Sequence, residues 1–134
     1  MIHVYYNSNG NVILSDVKPS YKSDYIKLNQ SDIPNFIFSD AWEIKDKKII
    51  VNLEKAKKIK IEQLNLKKQR VLNSFYKPIE DARDEAMLDP SDINKTKLNL
   101  LIQKKRKVRD LEFDLSKIKT IKGLENYMPK ELKD

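Results

Sequence analysis

An α+β fold is predicted by three observations on this 134-residue chain. Residues 1–52 are rich in β-branched and aromatic residues interrupted by turn-forming pairs, which is the chemistry of short strands and hairpins. Residues 53–118 repeat apolar residues at spacings of three, four and seven, the signature of one helix face. A turn-like Met87-Leu88-Asp89-Pro90 divides that helical stretch in two. The expected architecture is a small antiparallel N-terminal β-sheet in a domain at 1–52, then a domain at 53–134 with a long antiparallel helical hairpin and a short C-terminal helix.

In chain order, Ile2 to Tyr6 and Val12-Ile13-Leu14 flank Asn7-Ser8-Asn9-Gly10-Asn11, a hairpin in which Asn9 and Gly10 both tolerate positive φ. Asp16-Val17-Lys18-Pro19-Ser20 reads as a loop. Tyr21, Tyr25, Ile26 and Leu28 suggest another strand within residues 21–28. Ser31-Asp32-Ile33-Pro34 has the composition of a capped short turn, and Phe36-Ile37-Phe38 reads as a brief strand. Trp42-Glu43-Ile44-Lys45 and Lys48-Ile49-Ile50-Val51, parted by Asp46-Lys47, make a second hairpin. A small sheet of this kind buries one face and needs a cover, which the helices can supply.

The first helix is expected to begin after Asn52, whose side-chain oxygen can accept from first-turn amides, with Glu54 near the positive end of the helix dipole. Its stripe is Leu64, Val71, Phe75, Ile79, Ala82 and Ala86, and Pro78 implies a kink or a break near residues 76–78. The second helix has Asp89 as cap, Pro90 at the first helical position and Asp92 in the first turn. Its stripe is Leu98, Leu101, Val108, Leu111, Leu115 and Ile118, spaced as in a coiled coil, so each arm is expected to run on the order of 40 to 50 Å. A short connection makes the arms antiparallel. Thr120 then caps a short terminal helix in which Leu124 and Tyr127 can share a face, and Pro129 stops it.

Composition narrows the chemistry. The chain has no cysteine, which removes disulfides, thiol nucleophiles and sulfur-ligated metals. The sole histidine, His3, lies in a strand and reads as a packing residue. Glu80, Asp81, Asp84 and Glu85 form an acidic cluster with no histidine, which reads as a solvated face rather than a metal site. Only Gly10 and Gly123 are present, so no glycine-rich phosphate loop exists. No catalytic residue, cofactor site or metal site is assigned, and the chain reads as non-enzymatic. No signal-peptide pattern or run of eighteen apolar residues occurs, so the reading is a soluble, untargeted protein with no membrane segment.

The net charge of +7 is uneven, because residues 1–52 hold six lysines and six acidic residues and the excess lies beyond them. Lys55, Lys57, Lys58 and Lys60 form one basic run, and Lys104-Lys105-Arg106-Lys107 with Arg109 another, which raises nucleic acid as a partner. Successive lysines on a helix point in different directions, and Asp110, Glu112 and Asp114 follow at once, so solvated faces are the favoured account. The aromatic residues Phe36, Phe38 and Trp42 of the β half build a small core by default or, where they stay exposed, anchor a partner; with Leu66 and Leu72 on the first helix and Leu124 and Tyr127 in the tail they are the candidate partner-binding residues.

The strand-rich start with Asn7-Ser8-Asn9-Gly10, and Trp42-Glu43-Ile44-Lys45-Asp46-Lys47-Lys48-Ile49-Ile50-Val51-Asn52 leading into Leu53-Glu54-Lys55-Ala56, resemble small tail-fibre assembly and tail-associated proteins of tailed bacteriophages. Tyr76-Lys77-Pro78-Ile79-Glu80-Asp81-Ala82, a short break and a second helix are similar in arrangement to the helical hairpin of such proteins. The closing Ile121-Lys122-Gly123-Leu124-Glu125-Asn126-Tyr127-Met128-Pro129-Lys130-Glu131-Leu132 resembles their terminal segment, in which Trp usually stands where Tyr127 or Met128 stands here. The resemblance implies a protein that binds a phage tail fibre or another tail protein. It would act as an assembly chaperone in the host cytoplasm or remain in the virion tail, with a homo-oligomer as a possible form.

Overall fold

The computed structural model describes residues 1–18 and 24–133. It is α+β, with five short strands, four α-helices and three 3₁₀ segments among those residues. Tyr21, expected in a strand, lies outside them. Chain contacts define two compact units, Met1–Lys60 with Leu115–Asn126, and Ile61–Asp114 with Tyr127–Asp134. The division expected from the strand and helix patterns was 1–52 and 53–134.

In the first unit, β1 (Ile2–Tyr6) pairs antiparallel with β2 (Val12–Ser15) on one side and β3 (Ile26–Leu28) on the other. Val4 stands opposite Leu14 and Ile26, so three β-branched or branched residues meet across the sheet. A separate hairpin joins β4 (Trp42–Lys45) to β5 (Lys48–Val51). Val4, Leu28, Trp42 and Ile49 form a core flanked by Ile2, Leu14, Ile33 and Ile44, so the residues expected in one sheet form two sheets on a shared core.

The two hairpins reverse the expected turn chemistry. In the first, the Asn7 side chain accepts from the Asn9 and Asn11 amides at 2.9 Å each, and the Gly10 amide donates to the Asn7 carbonyl at 3.0 Å. Gly10 alone takes positive φ there, at 80°, so Asn9-Gly10 does not make a two-residue turn. That turn occurs at Asp46 and Lys47, with φ of 53° and 59°. Left-handed backbone is unfavourable for a side-chain-bearing residue, and Asp tolerates it better than Lys. Lys47→Gly is therefore expected to raise stability by about 1 kcal/mol, seen as a higher melting temperature. An unchanged or lower melting temperature would show that the turn is unstrained.

The expected strand at Phe36-Ile37-Phe38 is instead a 3₁₀ segment, Phe36–Ala41. The Asn35 side chain accepts from the Ile37 amide at 3.2 Å, supplying a cap that a strand does not need. Phe38 leaves helical geometry at φ −117° and ψ 39° and is buried, whereas Phe36 and Ile37 are exposed. The turn at residues 31–34 is present as a 3₁₀ segment, Gln30–Asp32.

Helix α1 (Leu53–Ser74) begins where the cap predicts, with the Lys55 amide donating to the Asn52 side chain at 3.1 Å. Asn52 also donates through Nδ2 to Glu43 Oε1 at 2.9 Å, and Lys55 Nζ lies 3.5 Å from Glu43. The Asn52 hydrogen bond, aided by the Lys55 charge, holds the Glu43 carboxyl below the usual carboxylate range. The stripe starts earlier than expected, because Ala56, Lys60 and Leu64 are buried at four-residue intervals on one face of α1.

At Phe75 the helix bends into α2 (Tyr76–Leu88). The Phe75 amide donates to Leu72 at 3.2 Å and the Ile79 amide to Phe75 at 3.1 Å, so hydrogen bonding continues around the missing donor of Pro78. Of the two possibilities at Pro78, a kink or a break, the bend is the one observed. Helix α3 (Asp92–Arg109) follows and packs on α2. Its cap is Ser91, whose hydroxyl accepts from the Asn94 amide at 3.3 Å, so Pro90 precedes the cap and is not the first helical residue.

Helix α3 stops at Arg109, short of the expected 118, and at about 1.5 Å per residue spans roughly 27 Å. Arg106, Lys107 and Arg109 occupy its last turn, where cations suit the negative end of the dipole. Asp110, Glu112 and Asp114 beyond it would oppose that dipole. Leu111, Phe113 and Leu115 are therefore off the helix, and burial alternates with exposure from 110 to 115. The second unit's core joins Leu64, Val108 and Leu132 with Val71, Leu72, Phe75, Leu111 and Tyr127 around them. Thr120 caps α4 (Ile121–Asn126), accepting from the Gly123 amide at 3.0 Å, and a 3₁₀ turn, Lys130–Leu132, follows Pro129.

Candidate functional site

The structure separates the seven candidate partner residues. In the first unit Phe38, Trp42 and Leu124 are buried, while Phe36 is 66 % exposed and its ring lies 5.2 Å from that of Trp42. In the second unit Leu72 and Tyr127 pack against the core, and Leu66 is exposed. Phe36 and Leu66 thus keep a free apolar surface, and the other five act as packing residues. His3 is half-buried, with its ring 5.3 Å from that of Tyr25.

Most of the first basic run is structural. Lys55 pairs with Glu43, Lys57 lies 3.9 Å from Glu54, and Lys60 is buried, its Nζ donating to the Glu125 carbonyl at 3.3 Å. That carbonyl belongs to the last turn of α4, where free carbonyls need a donor. Glu125 also accepts from Asn35 Nδ2 at 2.9 Å. Lys68 acts similarly in the second unit, donating to the Leu111 carbonyl at 2.9 Å just beyond α3.

Burial pushes the Lys60 ammonium below its usual range, with the nearby Glu125 charge opposing the shift. A lysine whose folded value is lowered binds fewer protons when folded than when unfolded, so stability rises with pH. The rise falls between the lowered value and the ordinary lysine range. Urea unfolding across alkaline pH should show this increment in the native chain and lose it in Lys60→Met; equal slopes would exclude Lys60 as the source.

Two further features lie on the α2–α3 hairpin. At its tip, Met87, Leu88 and Ile93 are 81 %, 89 % and 79 % exposed. The tip backbone is held: the Asp89 amide donates to Glu85 at 2.8 Å, and Asn94 Nδ2 donates to the Asp89 carbonyl at 2.8 Å. Three apolar side chains thus project beside an ordered turn; the sequence marked Met87 and Leu88 as part of a turn and not as exposed apolar surface. The signal was the Met87-Leu88 pair beside a break, apolar where a turn is usually polar.

The other feature is a groove of about 450 Å³ between α2 and α3. Ile79 and Ile102 line it together with Tyr76, Arg83, Lys105 and Arg106, and Glu80 and Arg109 complete the lining. Arg109 forms a two-pronged pair with Asp110, at 2.9 and 3.2 Å. Each partner favours the other's charged form, raising the guanidinium and lowering the carboxyl from their usual ranges.

Among the described residues, no group of three or more histidine, aspartate and glutamate side chains is arranged to hold a metal ion. Nor is any helix among them long and apolar enough to cross a membrane. No protein-family model, curated protein or solved structure matches the chain.

Proposed function

We propose that this chain is a non-enzymatic tail-fibre-associated protein of tailed bacteriophages, acting as a chaperone for fibre folding or attachment. The observation that carries the reading is the hairpin tip, where Met87, Leu88 and Ile93 stand exposed on a hydrogen-bonded turn. A chaperone must offer ordered apolar surface to an immature partner, and ordering it in advance lowers the entropy lost on binding. The resemblance of the β half, the hairpin and the closing segment to fibre assembly proteins supplies the partner class.

Co-expression with the neighbouring fibre gene tests the reading. The native chain should raise the yield of soluble fibre trimer, and a Met87→Ser, Leu88→Ser, Ile93→Ser variant should lose most of that gain while keeping its own fold. Trimer yield indifferent to the chain would end the chaperone reading. Mass spectrometry of purified virions distinguishes a transient chaperone, which is absent from them, from a permanent tail component.

A further inference from the structure

We propose that the groove between α2 and α3 is a second binding site, specific for an acidic peptide segment that also carries apolar residues. The inference does not rest on the phage reading or on the hairpin tip. The groove combines an apolar lining from Ile79 and Ile102, the exposed ring of Tyr76, and cations from both helices: Arg83 of α2, and Lys105, Arg106 and Arg109 of α3. Its volume of about 450 Å³ is of the size that accepts a few side chains, and mixed apolar and charged lining selects a ligand with both. Among the described residues neither Arg83 nor Lys105 has an ion-pair partner.

Arg109 grips Asp110 through two guanidinium nitrogens, the planar fork geometry that favours carboxylates. Arg83 offers the same fork from the opposite helix. An incoming segment with two acidic residues around an apolar one can pair with Arg83 and Lys105 while its apolar side chain packs on Ile102 and the Tyr76 ring, over the buried Ile79. Nucleic acid fits less well. Glu80 in the groove opposes any anion, but a peptide can place a neutral or apolar residue beside it, whereas a phosphate backbone carries a charge at every step.

The test is a random dodecapeptide library displayed on yeast and selected on the immobilised full chain. The recovered peptides are then measured against the native chain and against an Arg83→Glu, Lys105→Glu variant. The expected peptides have an excess of Asp and Glu beside apolar residues. They bind the native chain in a salt-sensitive way and weaken about tenfold or more on the variant. No recovered peptide, peptides without acidic excess, or equal affinity for the variant overturns the proposal. Both substituted positions are exposed, and circular dichroism verifies the fold. If the double variant unfolds, Arg83→Gln with Lys105→Gln replaces it under the same criteria. A labelled oligothymidylate of about 20 nucleotides is titrated in parallel. Binding of that oligonucleotide at physiological salt that disappears in the same variant also overturns the proposal and makes the groove a nucleic-acid site.

Discussion

Leu132→Ala is expected to lower the stability of the second unit by about 3 kcal/mol, close to the loss for a core leucine in any helix. Leu132 is fully buried with Leu64 and Val108, and Tyr127 and Met128 pack beside it. The 3₁₀ turn that delivers it is closed by the Leu132 amide donating to the Pro129 carbonyl at 3.0 Å. Removing the isobutyl group loses its transfer free energy and leaves a cavity between helices that cannot fully collapse. Urea unfolding measures the loss directly. A change below about 0.5 kcal/mol, the range of ordinary surface substitutions, would mean that the segment is not part of the core.

Phe38→Ala should cost about 4 kcal/mol, and Phe36→Ala no more than about 1.5 kcal/mol. The pair is two residues apart and alike in sequence, so a strand would place both on one face with equal costs. The 3₁₀ segment turns Phe38 inward, 1 % exposed, and leaves Phe36 outside with its ring tilted 40° to that of Trp42. What Phe36 loses is mainly one tilted ring contact, whereas Phe38 vacates a closed space. Thermal and urea unfolding of the two variants give the comparison. Equal losses would restore the strand reading and contradict the observed geometry.

The site was less legible than the fold. Phe38, Trp42 and Leu124 have the residue types of interface anchors, but the same types fill cores, and a sequence cannot say which surface is covered. The first basic run shows the same ambiguity for charge. Lys60 looks like one of several solvated lysines, yet it is buried because the Glu125 carbonyl, 65 positions later, stands where its ammonium reaches. The groove cations come from two helices, Arg83 on one and Lys105 and Arg106 on the other, so their convergence depends on how α3 packs against α2. One local signal marks the end of α3. Asp110-Leu111-Glu112-Phe113-Asp114-Leu115 alternates strictly, which contradicts the seven-residue spacing that carried the second stripe to Ile118. The last-turn cations followed by acids marked the same stop.

Local chemistry in the sequence by itself determined the α+β class, both hairpins, the start of α1 after Asn52, an interruption near Pro78 and the Thr120 cap. Each of these depends on neighbours within a few residues: an amide seeking an oxygen, a missing donor, an alternation of apolar side chains. Only the tertiary structure decided that the strands form two sheets on a shared core, and that Leu115 and Leu124 belong with the first unit while Leu111 and Leu132 belong with the second. It also decided which apolar residues stay uncovered, leaving Met87, Leu88 and Ile93 bare at the hairpin tip. The physical reason is that burial is a property of what arrives from elsewhere in the chain. Hydrogen bonds in caps and turns are settled by sequence neighbours, whereas the covering of a side chain is settled by partners tens of residues away.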